Sequence, residues 1–261
     1  MDLLVEGVSH GYGALPVLDG VSLSIASGEI VALLGPSGCG KSTLLGIAGG
    51  MVAPGAGRVR LRGEAPAACL NPLTYVFQDF ALLPWRDVAR HVALPLEHHG
   101  LGAAERARRV DDALARIGLS DFRGAWPRQL SGGMRQRVGI ARALVVEPAV
   151  LLMDEPLSAL DAQTRELLME DLLALWRQTR FTALYVTHNL AEALRLAHRV
   201  VVLSRRPGRV REVGEVPVPV GERGAPAAAA TLAALHERLW ALVRDEARDA
   251  EREIADARPA P

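Results

Sequence analysis

The sequence predicts an α/β fold: a mostly parallel sheet with helices on both faces, an antiparallel β subdomain before it and a helical lobe inserted midway. Three observations carry this. The short apolar runs EIVALL (29–34), VLLM (150–153) and VVVL (200–203) read as strands buried on both faces. Amphipathic helical segments alternate with them, which is the pattern of a parallel sheet. Between about 85 and 146 the signals are helical only.

Taken in order, 3–8 and 17–25 alternate apolar and polar residues with Gly and Pro between, as antiparallel strands do. The strand at 29–34 ends in a glycine-rich turn, and 43–48 follows as helix. Residues 58–61 and 74–77 are further short strands. The charged stretch 103–117 puts Val110, Leu114 and Ile117 on one helical face. A helix over 133–146 stops before Pro148. After the strand 150–153 comes a long helix, 162–177, with Asp161 in position to cap it. Strand 182–186, helix 190–197 and strand 200–203 complete the core. An Ala/Pro-rich stretch, 221–230, reads as a linker. Beyond it, 232–254 reads as an Arg/Glu-rich helix or helix pair with Leu232, Leu235, Leu239 and Leu242 at helical spacing. That segment either packs on its own domain or serves as a regulatory or membrane-surface helix. The chain thus divides into residues 1–220, with the lobe at about 85–146, and a tail at 221–261.

Composition narrows the function. The 261 residues carry 30 Lys+Arg and 30 Asp+Glu, a formal net charge of zero, and 49% are hydrophobic. A chain held to nucleic acid by a general cation excess is excluded, as is a disordered charged tail. Mean hydropathy is +0.14, yet no run approaches the ~20 apolar residues that span a bilayer. Cys39 and Cys69 have no ligand spacing, so neither zinc nor a disulfide framework is expected. No secretory leader is visible at the start, and the expected location is cytoplasmic.

Three local patterns carry chemistry. Gly35-Pro36-Ser37-Gly38-Cys39-Gly40-Lys41-Ser42, followed by Thr43, fits G-x-x-x-x-G-K-[ST] between a strand and a helix, so the α/β core is of the P-loop NTPase kind. Its glycines let successive N–H groups form an anion nest, and the helix start adds positive potential. Lys41 supplies a point charge for terminal phosphates, and the Ser42 hydroxyl suits Mg²⁺. Asp154 and Glu155 end an apolar strand, where open α/β sheets place ligands. Asp154 is expected to hold Mg²⁺ through water and Glu155 to act as general base toward the attacking water. Ser131-Gly132-Gly133 places a hydroxyl and two glycines at a helix start. In isolation it is an N-capped helix, but it lies 19 residues before Val150.

Those motifs, in that order, resemble the ATP-binding subunits of ABC transporters over about residues 3–215. The resemblance implies that GPSGCGKST is the Walker A loop, VLLMDEP the Walker B strand and LSGGMRQR the signature motif. Gln78 in VFQDF matches the Q-loop glutamine, which the resemblance implies as a catalytic and Mg²⁺-holding residue. Ser158-Ala159-Leu160-Asp161 matches the D-loop, and His188 in VTHN the switch histidine. Tyr12 stands where an aromatic stacks on adenine. ATP and Mg²⁺ are the implied cofactors. A head-to-tail dimer is implied, with ATP between Walker A of one copy and Ser131, Gly132 and Gly133 of the other. Met134 stands where glutamine is commoner, and Asn189 where aspartate is. Asn189 and Glu192 fit the N-cap and N3 positions of a helix start.

The segments LLPWRDV (82–88), VALPLE (92–97) and VVVLSRRPGR (200–209) resemble more narrowly the nitrate/sulfonate/taurine group of bacterial importers. This implies membrane permease subunits as partners, a periplasmic substrate-binding protein as an indirect one, and a peripheral position on the cytoplasmic face of the inner membrane. Phe80, Leu82, Leu83 and Trp85 belong either to a permease groove or to the lobe core. An exporter ATPase, or an ABC ATPase that remodels DNA or ribosomes, is the alternative reading.

Overall fold

The computed structural model describes residues 1–78, 81–158 and 160–256. Two sheets organise it. Strands β1 (Asp2–Tyr12), β2 (Leu15–Ile25) and β4 (Ala56–Arg62) form an antiparallel sheet in the order β2-β1-β4. The second sheet combines β3 (Ile30–Leu34), β5 (Leu73–Val76), β6 (Val150–Asp154), β7 (Thr182–Val186), β8 (Arg199–Leu203) and β9 (Val210–Glu215) in the order β5-β6-β7-β3-β8-β9. All its pairings are parallel except β8 with β9. The fold is therefore the expected α/β core with an antiparallel companion.

The apolar runs form central strands because both of their faces are covered. Alternation splits each strand between two cores. Ile30, Ala32 and Leu34 face one cluster, with Leu168, Leu172 and Trp176 of α5 (Ala162–Thr179). Val31 and Leu33 face the other, with Leu44 and Leu45 of α1 (Lys41–Ala48) and the inner side of the antiparallel sheet.

The lobe has a third, smaller core among α2 (Val88–Ala93), α3 (Ala103–Arg116) and α4 (Gly132–Leu144). Helix α4 belongs to two cores at once. Val138 and Ala141 pack in the lobe, while Ile140, Ala143 and Leu144 pack on the sheet. It links the lobe core to the sheet core.

At the C-terminal end, α6 (Leu190–Leu196) is covered by α7 (Ala229–Asp256), a single helix rather than a pair. Leu235 and Leu239 of α7 are buried in the sheet core. The Ala/Pro-rich stretch before it is anchored rather than loose: Arg223 is buried and donates to the carbonyls of Val218, Leu194 and Arg195. No helix among the described residues is long and apolar enough to cross a membrane.

Candidate active site

The expected residues lie on loops at the C-terminal edge of the parallel sheet and at the start of α4. After β3 the chain turns through residues 35–40 into α1. Gly40 adopts φ 105°, and a Cβ there would lie 2.7 Å from Leu18 Cδ2 and 3.1 Å from the Val17 carbonyl. Only glycine lets the loop press so closely on β2. Lys41 is buried, its Nζ donating to the carbonyls of Gly35 and Pro36 at 2.8 and 2.9 Å. The ammonium thus occupies its own loop. The Cys39 thiol is buried, and that burial pushes its pKa up, so Cys39 contributes backbone and not a nucleophile.

Ser42 and Asp154 meet across the sheet edge. The Ser42 hydroxyl donates to Asp154 Oδ1 at 3.2 Å, and the Tyr75 hydroxyl donates to Oδ2 at 3.2 Å. Burial raises the Asp154 pKa, against the lowering effect of those two hydrogen bonds. Hydroxyl and carboxylate oxygens are hard donors of the kind Mg²⁺ takes. No group of three His, Cys, Asp or Glu able to hold a metal occurs among the described residues. The pair therefore fits an ion that draws its other ligands from nucleotide oxygens and water.

Glu155 follows β6 with φ 44°, a backbone state that costs a non-glycine residue about 1–3 kcal/mol. Its amide donates to the Val186 carbonyl at 2.9 Å, and the Ser158 hydroxyl donates to its carbonyl at 2.9 Å. These bonds turn the side chain toward the loop after β7, where Glu155 Oε2 lies 3.0 Å from His188 Nδ1. Candidate base and candidate switch histidine therefore contact each other directly. The His188 side chain is 64% exposed against 21% for Glu155, so the imidazole is the one free to swing.

The α4 residues are placed differently. Ser131 accepts from the Met134 amide at 3.2 Å as N-cap. A Cβ on Gly133 would lie 2.6 Å from Thr164 Cγ2, so the start of α4 presses on the start of α5. Asp161 caps α5 by accepting from the Thr164 amide and hydroxyl at 3.0 and 2.7 Å. Among the described residues, none of Ser131, Gly132 and Gly133 is hydrogen-bonded to the phosphate loop of its own chain. One turn on, Gln136 is fully buried with neither amide atom hydrogen-bonded. Gln78 is exposed just after β5. Tyr12 ends β1, 55% exposed, edge-on to His10 at 4.8 Å.

Of the candidate permease-groove residues, Leu82 packs against the lobe core while Trp85 is 66% exposed. Phe80, and Ala159 of the D-loop, lie outside the described residues. The expected cap of α6 is half right. Asn189 Oδ1 accepts from the amides of Ala191 and Glu192, but Glu192 does not reciprocate. Its carboxylate turns inward, accepting from the hydroxyls of Tyr185 and Thr187 at 2.9 and 2.8 Å, with Arg165 Nε at 3.4 Å. Sequence reasoning missed Tyr75 altogether, because a tyrosine inside a strand reads as packing. Only the pairing of β5 with β6 brings it beside Asp154.

The profile of a family described as ABC transporter matches residues 18–158. A taurine import ATP-binding protein of Yersinia pestis is 47% identical over 210 residues, covering 80% of this chain and 82% of that one. A spermidine/putrescine import ATP-binding protein of Pseudomonas aeruginosa is 45% identical over 214 residues, covering 81% of this chain and 58% of that one. A solved structure described as a dimeric bacterial ABC transporter cassette superposes with a TM-score of 0.71 at 32% identity, covering 83% of this chain and 100% of that chain. Another, described as a post-hydrolysis state bound to ADP and phosphate, superposes with the same TM-score at 31% identity.

Proposed function

The chain belongs to the ATP-binding subunits of ABC transporters, and from that membership we propose that it drives import of a small anion such as nitrate, a sulfonate or taurine. The observation that carries the reading is the 47% identity to a taurine import protein over four fifths of both chains. The spermidine/putrescine relative supports import as well, with a cationic solute. The solute is therefore set by the membrane and periplasmic partners.

As an ABC ATPase it hydrolyses ATP. In the proposed mechanism the turn 35–40 offers its N–H groups to the phosphates, and the start of α1 adds its positive end. Lys41 leaves the carbonyls of Gly35 and Pro36 for the terminal phosphates. Ser42, Asp154 and Gln78 would hold Mg²⁺, which when bound neutralises charge developing on the phosphates. Glu155 accepts the proton of the attacking water. His188 leaves Glu155 and donates to the γ-phosphate. Tyr12 packs on the adenine. Ser131, Gly132 and Gly133 of a second copy close over the nucleotide, so two chains enclose two ATP molecules. Closing and reopening of that pair drives permease subunits at the cytoplasmic face of the membrane, which a periplasmic binding protein supplies with solute.

The test is reconstitution with the permease subunits and periplasmic binding proteins of the same organism. Taurine, an alkanesulfonate or nitrate on the binding protein should raise ATP turnover. Stimulation by spermidine alone overturns the anion assignment. Turnover indifferent to any binding protein, or co-purification with ribosomes or DNA, overturns import.

A further inference from the structure

Asp154 has two carboxylate oxygens, each with one hydrogen-bond donor, and the two donors differ in kind. Ser42 is exposed at the start of α1. Tyr75 is half-buried on β5, in the register opposite Leu152 of β6, with its ring packed against the core shared by α1 and the antiparallel sheet. The Phe77 ring sits 4.5 Å away between centroids, tilted by 34°. The ring so packed puts its hydroxyl 3.2 Å from Asp154 Oδ2.

We propose that Tyr75 is a positioning residue for the metal–nucleotide complex: its hydroxyl, on the oxygen that Ser42 does not reach, holds the plane of the Asp154 carboxylate. The inference rests on the reading of Asp154 and Ser42 as the Mg²⁺ side of the ATP site. A hydroxyl has one proton and two lone pairs, so Ser42 can offer an oxygen lone pair to the ion and keep donating to Oδ1. Tyr75 restrains the second oxygen, so the two donors together set the carboxylate plane. Outer partners of this kind change metal affinity by about 10–100-fold when removed. Phe77 and Gln78 follow directly on the same strand end, so the aromatic pair also fixes where the chain departs toward the lobe.

The experiment uses the full chain with Mn²⁺ as the probe, bound in the presence of a non-hydrolysable ATP analogue and followed by electron paramagnetic resonance. Tyr75→Phe, which removes one oxygen and keeps the ring, should weaken Mn²⁺ binding about tenfold while leaving nucleotide affinity in EDTA unchanged. The Mg²⁺ concentration for half-maximal ATP turnover should rise by the same factor, with turnover at saturating Mg²⁺ within about twofold of the parent if Tyr75 acts on binding alone. Tyr75→Leu should lower the melting temperature further but weaken Mn²⁺ binding no more than Tyr75→Phe does. Asp154→Asn separates the two levels of inference. If it loses Mn²⁺ and Tyr75→Phe does not, the Tyr75 proposal fails and the site reading stands. If Asp154→Asn itself keeps parental Mn²⁺ affinity, the site reading fails. A loss of metal-free nucleotide affinity in Tyr75→Phe equal to its loss of Mn²⁺ affinity marks a purely structural tyrosine and also overturns the proposal.

Discussion

At the sheet edge the candidate side chains are hydrogen-bonded to one another or to their own loops: Lys41 to two carbonyls, Ser42 and Tyr75 to Asp154, and Glu155 to His188. At the start of α4 the corresponding groups serve only their own helix, with Ser131 exposed and Gly133 against α5. The first region holds the proposed catalytic groups in mutual contact. The second holds the groups proposed to face phosphate in a second copy, and among the described residues they are not hydrogen-bonded to the phosphate loop of their own chain. Central strands position the sheet half, while α4 packs into the sheet core and the lobe core at once. The difference fits the proposed arrangement, in which one chain binds nucleotide and a second encloses it.

The largest effect should come from the sheet half. Glu155→Gln removes the proposed general base, a contribution of about 10²–10⁴-fold, and should slow single-turnover hydrolysis by that factor. Nucleotide binding should persist, and ATP should trap a dimer visible by size exclusion. Parental turnover in this variant would remove Glu155 from the chemistry. The lobe half is probed next. Gly133→Ala drives a methyl into Thr164 and shifts the start of α4, and misplacement of about 1 Å costs on the order of 10²-fold in rate. Affinity of the monomer for nucleotide should not change. Added to Glu155→Gln, it should abolish the ATP-trapped dimer. A dimer that still forms would mean that α4 does not close the site.

Much of this was legible in the sequence because the same residues do structural and chemical work. The phosphate loop needs glycines for its turn, and the central strands need unbroken apolar runs. The rest depends on tertiary partners. Strand β9, with Arg and Glu along VREVGE, is an edge strand, and charge is what edges carry. Helix α2 has six residues and no amphipathic signal at that length; Asp87 caps it by accepting from the Arg90 amide. Glu192 matches a capping box by spacing, yet the buried hydroxyls of Tyr185 and Thr187 compete for it and win. The leucines of α7 announce an amphipathic helix without saying what it covers. Leu239 is fully buried against the sheet core, so Leu239→Ala should cost about 2–4 kcal/mol in denaturant unfolding. A cost below about 0.5 kcal/mol, the surface value, would show α7 to be detachable from the catalytic half.

The smallest effect separates the two halves by pH. His91 of α2 is fully buried in the lobe. Its Nε2 accepts from the Leu83 amide at 2.7 Å, and its Nδ1 lies 2.8 Å from the Asp87 carbonyl. The proton must therefore sit on Nδ1, and a second proton on Nε2 would face an N–H donor. Burial pulls the His91 pKa below its ordinary value. Arg142 and Arg86 pull the same way, while the Asp87 carbonyl and carboxylate oppose. With the folded pKa below the unfolded one, the unfolded chain binds the extra proton first. The contribution of His91 is thus full above about pH 6.5 and is lost as pH falls from there through the folded value, with a slope of at most about 1.4 kcal/mol per pH unit. His198 in the sheet half is depressed in the same direction, chiefly by burial, and accepts from the Ile30 amide, so a global melt mixes the two. Hydrogen exchange resolves them: between pH 7.5 and 5.5, protection corrected for intrinsic rates should fall at the Leu83 amide, and His91→Leu should remove that dependence while leaving the response at the Ile30 amide intact. Equal pH sensitivity of the Leu83 amide in parent and variant would mean that His91 does not hold the segment joining sheet and lobe.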